Sequence, residues 1–488
     1  MEVSHSDSIL ESRGVVRIAE FMSRQRAKWQ QAEGAPDLEM FEQELHQQLM
    51  ELGQELMAEE MSRYDVAAPA IEVEGVRYQR RQRSTTTYQS AVGPVVVERY
   101  LYHGVSPESK GICPLEMRCG IINGLFTPRA ARQSAYVLAH LSSRDGEALL
   151  AEIGNMRPSR STLDRLPKAI AQAWEAQRET WERALRRAET VPAESAMLVV
   201  SQDGVMAPMK DGERRQKRSN PEKQTTGPAG YREVGCGTVS LHDAEGKRLQ
   251  TVRYGRMPEK NKATLRTQLE AECQSILSFR PDLTVVKLAD GAKDNWTSLE
   301  GLDLGLEPDR QVNEFKIVDF FHAAEHLKRA CDAIWGKETA QGKAEFERLR
   351  ILLKDHDCGV DKVIRSLRYR IGRATKQKKK RIQTELTYFR NQRKRMRYVD
   401  YLRLNLPIAS GVMEAACKTL VTQRMKCSGM AWSHAGGQAI LSLRSLVQSR
   451  RWHGAWALIQ QGFRQVVTIV PSSTANSTTP TPVGALYF

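Results

Sequence analysis

The sequence predicts an α/β multidomain fold, and three observations predict it. At 488 residues the chain is longer than one ordinary core organises, so about three or four folded units are expected. Five short runs, MLVVSQDG, GYREVGCGTVSLHD, RLQTVRYG, TVVKLADG and FKIVDF, read as strands. The residues before, between and after them carry the three- and four-residue apolar spacing of helices.

A hydrophobic fraction of 41% supports globular cores. No apolar run approaches the roughly 20 residues that span a bilayer, so no membrane partner is expected. The start, MEVSHSDSILESRG, has neither the basic start nor the apolar stretch of a secretory signal, so export is not expected and the protein is expected to be cytoplasmic, nucleoid-associated if its partner is DNA. Eight cysteines form no CxxC pair, so reduced thiols without structural zinc are expected. Cys113 and Cys119 leave half a zinc ribbon as the alternative, although such a site needs four ligands.

Residues 1–66 are expected to be helical. Between Asp37 and Arg63 the residues Phe41, Leu45, Leu49, Leu52 and Leu56 form a narrow heptad-like stripe, suited to packing within the chain or to a dimer seam. Residues 67–125 hold a small β unit, rich in Val, Tyr and Thr, broken at Gly93-Pro94 and carrying exposed arginines.

Residues 126–190 have the spacing of a helix-turn-helix unit. Thr127-Pro128 starts a helix running to about Leu141, and Ser142-Ser143 starts a second that ends at Gly154-Asn155. A third opens at Pro158. As a recognition helix it would present Ser159, Arg160, Ser161, Thr162 and Arg165 to a DNA groove, although plain three-helix packing has the same spacing. A separate charged helix is expected from about Pro167 to Thr190.

In residues 191–330 three strands are followed by a helix from about Lys260 to Leu277. A strand comes next, then a last strand running into a helix with His322, Glu325 and His326. That order is the one of a ribonuclease H-like fold with a mixed sheet. Residues 331–405 read as an inserted basic α-helical block. Between Val360 and Tyr398 fifteen Lys or Arg face only Asp361 and Glu385, a net +13 within a chain of net +15. Charge of one sign at this density repels itself unless something neutralises it, which points to a phosphate backbone. Lys378, Lys379, Lys380, Arg381, Arg393, Lys394 and Arg395 are the candidate contacts. The interleaved Tyr369, Tyr388, Phe389 and Tyr398 suit either base stacking or a core. Residues 406–466 resume the core with a helix starting at Ser410-Gly411, and the Ser-, Thr- and Pro-rich residues 467–488 are expected to be a disordered tail.

Phosphodiester chemistry commonly uses two Mg²⁺ ions about 3.5–4 Å apart, which need carboxylates converging on one point. Asp203 in SQDG and Asp290 in LADG each end a predicted strand and precede a glycine. Either alone also reads as a turn. Glu414 lies in the first turn of a later helix and is the third candidate ligand, with Mg²⁺ or Mn²⁺ as cofactor. Lys418 shares its face one turn on, and Arg424 and Lys426 follow as candidate DNA contacts.

The segments SQDGVMAP, LADGAKDNW, VDFFHAAEHL, LPIASGVMEAACKTLVTQRMKCSGMAWSHAGGQAIL and LRSLVQSRRWHGAWALI resemble the transposases of ISKra-type bacterial insertion sequences, over about residues 120–465. These are DDE transposases with Mutator-like relatives. The resemblance implies that Asp203, Asp290 and Glu414 are the metal-binding triad and that the basic block is the insertion between the second Asp and the Glu. It also implies that His322, in Asp319-Phe320-Phe321-His322, acts near the scissile phosphate. Trp432 would stack on a displaced base or lie in the core. The zinc-ribbon cysteines sometimes seen in such proteins are missing, which leaves end recognition to the helix-turn-helix and β units. Such an enzyme binds the terminal inverted repeats of its element, pairs two ends as a dimer or higher multimer, and cuts and joins DNA. A ribonuclease H-like nuclease or resolvase, and a non-catalytic DNA-binding regulator, remain open on the residues alone.

Overall fold

The computed structural model describes residues 5–31, 35, 37–104, 110–210, 230–305, 313–372 and 375–471. The chain divides into two compact units, one of Met1–Ser134, Ser143–Leu166 and Gln460–Phe488 and one of Ala135–Ser142 and Pro167–Ile459. The expected helix-turn-helix stretch is therefore shared between the two.

The first unit begins with α1 (His5–Gln31) and α2 (Leu38–Ser62), the latter capped by Asp37, whose side chain accepts the Glu39 N–H. The heptad-like stripe serves intrachain packing at Phe41, whose ring lies 5.8 Å from that of Phe21, while Leu49 and Leu56 stay half exposed. Next come β1 (Ala70–Val73), β2 (Val76–Ser90) and β3 (Gly93–Gly104), an antiparallel set with a bulge between Arg80 and Gln82. After α3 (Pro114–Cys119) come α4 (Pro128–His140), α5 (Ser143–Ile153) and α6 (Arg160–Ala188). The expected third helix and the charged helix are one. Pro167 removes a single N–H and crowds the preceding turn, but the buried face of Leu163, Leu166, Ile170 and Trp174 carries the helix through it.

The second unit is built on five strands. β4 (Met197–Met209), β5 (Gly230–His242) and β6 (Arg248–Arg256) form an antiparallel meander. α7 (Ala263–Phe279) leads to β7 (Thr284–Ala289), which pairs parallel to β4. Beyond α8 (Lys293–Glu300), β8 (Glu314–Val318) pairs parallel to β7 and runs into α9 (Phe320–Trp335). The sheet order is β6-β5-β4-β7-β8. Met197, Leu198, Val199 and Val200 at the start of β4 are all buried, the unbroken apolar run of a strand covered on both faces.

The basic stretch forms α10 (Ala340–Asp355), α11 (Gly359–Gly372), α12 (Lys376–Gln392) and α13 (Tyr398–Arg403). It is helical as expected, but its apolar face shares one continuous core with the sheet. Leu353, Val363, Leu367 and Phe389 cluster with Val285, Ile317 and Leu327. The helix that follows is α14 (Gly411–Ala416), a π-helical turn over Cys417–Thr422, and a last turn, α15 (Gln423–Met425).

α16 (His434–Gln448) lies along the outer edge of β6, where Ser449, Ser445 and Gln438 accept the backbone N–H groups of Arg253, Gly255 and Met257. That satisfies an edge strand that would otherwise be open to pairing. α17 (Trp452–Phe463) ends the helical series. In the first unit β9 (Thr468–Ile469) pairs antiparallel with β1, giving the order β3-β2-β1-β9. Disorder expected from residue 467 is corrected at these two residues by that pairing; residues 472–488 lie outside those described. Among the described residues no helix is long and apolar enough to cross a membrane.

Candidate active site

The parallel pairing of β4 with β7 runs from Met197↔Thr284 to Ser201↔Leu288. Asp203 and Asp290 each stand two residues beyond that last pair. Asp203 lies on β4 just past the ladder and Asp290 in the loop just past β7, close enough for the Asp290 charge to act on Asp203. Both are half-buried. The expectation that Asp203 ends its strand needs correcting: β4 leaves β7 there but continues along β5 to Met209, with Asp203 opposite Cys236.

Burial pushes the Asp203 carboxyl above its ordinary value, and the neighbouring Asp290 charge adds to this. The Gly204 N–H, donated to Oδ1 at 2.7 Å, and the positive fields of His322 and Lys262 act in the other direction. The other oxygen, Oδ2, meets the Cys417 thiol at 3.8 Å. Asp290 is fixed by its own loop: Oδ1 accepts the Ala292 N–H at 3.1 Å and the Asn295 amide at 3.0 Å, and its carbonyl accepts the Trp296 indole N–H at 2.6 Å.

Both Asp-Gly dipeptides have a side chain packed close over the glycine, and at Gly291 it is the ring of Tyr388. A Cβ on Gly204 would collide with the Glu233 carboxylate, and one on Gly291 with the Tyr388 ring. Tyr388 also stacks on His326, with ring centroids 3.4 Å apart, and His326 Nδ1 lies 2.6 Å from Glu385. The Tyr388 hydroxyl is buried without a hydrogen-bond partner among the described residues.

Asp319 is fully buried and caps α9, accepting the His322 N–H at 2.8 Å; its second oxygen accepts the Ser410 N–H. Ser410 caps α14, and Glu414 stands in the first turn of that helix, exposed. Cys417, three residues on and on the same face, is the residue that touches Asp203. His322 is about one-third exposed, its Nδ1 4.0 Å from Glu325. The structure thus sets Asp203 beside Asp290 with His322 nearby, and carries Glu414 on a helix that meets Asp203 one turn later. Among the described residues no three His, Cys, Asp or Glu side chains stand close enough together to hold a metal ion.

Sequence reasoning missed Glu233, Lys262 and Asn295. The Lys262 ammonium lies 2.7 Å from Glu233 and donates to Asn295 Oδ1 at 2.9 Å. Asn295, five residues after Asp290, could have been found as the first polar residue of α8 able to reach back. Lys262 carried no signal. It sits in a turn where Asn261 (φ 56°) and Lys262 (φ 50°) are both left-handed, a conformation that costs a non-glycine residue about 1–3 kcal/mol.

The candidate DNA contacts divide by exposure. Ser159, Arg160, Ser161 and Arg165 are exposed at the start of α6, whereas Thr162 is turned inward beside Ser159. Lys378, Lys379, Lys380, Arg381 and Lys394 are exposed, as are Lys418 and Lys426. Arg393 is exposed but paired with Asp361. Arg395 is half-buried, engaged by Glu300 at 2.7 Å and by the Trp296 ring, 4.2 Å away. Arg424 corrects the expectation outright. It is 4% exposed, donates to the Leu138 carbonyl and lies over the Trp432 ring, so it serves packing. Trp432 is half-buried with its indole N–H on the Met425 carbonyl at 2.9 Å, and Phe389 and Tyr398 are core residues; only Tyr369 of that aromatic set is exposed.

No protein-family model and no curated protein matches the chain. Among solved structures, the Drosophila P element transposase strand transfer complex aligns over 71% of this chain and 84% of that one, with 13% identity and a TM-score of 0.25. A similarity this loose carries no assignment of fold or function.

Proposed function

We propose that this chain is a metal-dependent DNA transposase of the DDE type, acting through Asp203, Asp290 and Glu414. The observation that carries the reading is the pair of half-buried carboxylates just past the ends of a parallel two-strand ladder, near enough for the charge of one to act on the other. That ladder lies in a sheet of order β6-β5-β4-β7-β8, which is the strand order of a ribonuclease H-like core. Two carboxylates forced together, one with its proton affinity raised by burial and by the other, are the hard oxygen donors that Mg²⁺ prefers. Asp203 and Asp290 would hold the ion, with Glu414 approaching from α14. Bound there, Mg²⁺ or Mn²⁺ would supply charge neutralisation for phosphodiester hydrolysis and transesterification.

The chain's own residues do the rest. Asn295 and the Ala292 N–H fix the rotamer of Asp290, and Asp319 fixes the start of the Glu414 helix. His322, one-third exposed, would exchange a proton with a group at the scissile phosphate. The partner is DNA, first as terminal inverted repeats held by two protomers and then as target. Within the second unit its backbone would lie against the exposed lysines of α12, and the first unit would offer the first turn of α6 as a separate contact. The sequence resemblance to ISKra-type transposases supports the same reading.

The test is strand cleavage and joining with Mg²⁺ or Mn²⁺ on a plasmid carrying the DNA segments that border the coding sequence. Asp290→Asn and Glu414→Gln are expected to abolish both while still binding the ends. Nicking without insertion would indicate a nuclease instead, and binding without any cutting a regulator.

A further inference from the structure

We propose that Lys262 is a substrate-contacting residue of this centre, its ammonium held between Glu233 and Asn295 to meet a non-bridging phosphate oxygen of the strand being cut. This rests on the reading of the centre as one that cleaves DNA.

Two observations converge on it. The ammonium stands among the acids of the site: it pairs with Glu233 at 2.7 Å, donates at 2.9 Å to the Asn295 oxygen whose amide holds Asp290, and its field reaches Asp203. The backbone that places it is strained, with Asn261 and Lys262 both left-handed, while the first turn of α7 is capped from Glu259, whose Oε1 accepts the Leu265 N–H at 2.9 Å. An observed outlier of this kind, next to a site, points to a functional demand on the side chain.

The Glu233 pair does not explain the strain by itself, because Glu233 is half exposed and such surface pairs contribute little. A lysine carries a compact point charge on a flexible stem, which suits a phosphate oxygen better than a structural partner. At 18% exposure the side chain is sheltered yet within reach of solvent. Glu233, poised over Gly204, gives the ammonium a place to rest while no DNA is bound.

The experiment compares wild type, Lys262→Gly, Lys262→Arg and Asp290→Asn on linear duplex from the DNA bordering the coding sequence, with Mg²⁺. Single-turnover cleavage at saturating duplex, duplex affinity and melting temperature are measured for each. Glycine adopts the left-handed turn without strain, so Lys262→Gly removes the ammonium and keeps the fold. Its cleavage rate is expected to fall about 100-fold, the effect of losing one preorganised donor to a transition state. Duplex affinity and melting temperature should hold, and Lys262→Arg should recover part of the rate. The proposal is overturned if Lys262→Gly cuts within roughly twofold of wild type while Asp290→Asn is dead. A lowered melting temperature in Lys262→Gly without rescue by arginine also overturns it, since the role is then structural. If wild type does not cut, or Asp290→Asn cuts as fast, the reading of the centre fails and this proposal with it.

Discussion

The backbone N–H of Ser410 donates to the carboxylate of Asp319, and so the residue that caps α9 also anchors the cap of the helix carrying Glu414. Both carboxylate oxygens are used, the other by His322, and the side chain is fully buried. Asp319→Asn would turn an amide group towards one of those N–H donors. The expected cost is about 1–3 kcal/mol in urea denaturation. Cleavage should drop more than about tenfold with DNA binding retained, because Glu414 loses its fixed position. Unchanged cleavage would detach Asp319 from the site.

Asp203 predicts an inverse relation between activity and stability. Its folded-state carboxyl titrates above the ordinary value through burial and the Asp290 charge. The fold therefore holds that proton more tightly than the unfolded chain does. The resulting stabilisation is complete below the unfolded pKa of about 3.9 and is lost as pH rises through the folded value. Asp203→Asn should melt higher than wild type at pH 7, with the gap closing as the buffer approaches about pH 4. Scanning calorimetry at the two pH values decides it.

Gly291 and Tyr388 form a steric pair. Gly291→Ala places a methyl group inside the Tyr388 ring position and should cost about 1–3 kcal/mol. In a Tyr388→Ala background the same substitution should cost much less, since the partner that it displaces is gone. Tyr388→Phe removes a buried hydroxyl without a partner among the described residues, so it should be neutral or stabilising by up to about 1 kcal/mol. Chemical denaturation of wild type and these variants measures each difference.

A buried ion network marks another weak point. The Arg451 guanidinium donates to Glu189, to Glu272 and to the Tyr254 hydroxyl, with Arg451 and Glu272 both nearly inaccessible. Arg451→Met would strand the Glu272 charge and should cost about 3–5 kcal/mol. A loss under about 1 kcal/mol would mean that water reaches the network.

The exposed lysines of α12 predict a salt dependence. Replacing Lys379, Lys380 and Arg381 by Gln should weaken duplex binding and reduce the slope of log affinity against log salt by about 0.9 for each phosphate no longer neutralised. Anisotropy titrations at several salt concentrations read this directly. An unchanged slope would move the DNA to another face.

Much of this is legible along the chain, and the reason is local. The strands of the second unit announce themselves as apolar runs, and Asp203 and Asp290 stand out because each follows such a run and precedes a glycine. Their register is not legible, since nothing in SQDG or LADG states which strand lies beside which. Nor is the continuation of β4 past Asp203, which depends on pairing with β5 after β7 has turned away. Glu233 and Lys262 enter the site from the middle of one strand and from a strained turn, positions that periodicity cannot single out. Arg424 escapes a reading of charge, because a positive residue on a helix says nothing about whether a carbonyl and an indole await it inside. Pro167 resembles a helix start in the sequence, yet a deep apolar face outweighs the hydrogen bond it removes.

The π turn at Cys417–Thr422 holds one residue more than an α-helical turn would. Each residue of helix is worth about 100° of rotation. Leu420 and Val421 are locked in the interior, so the extra residue determines which compass bearing Glu414 takes upstream of them. Losing one uncharged residue from this stretch would leave every acid and every charge in the chain and still rotate Glu414 by about 100° relative to the buried Leu420 and Val421. Here the spelling of the segment can drift while its letter count cannot.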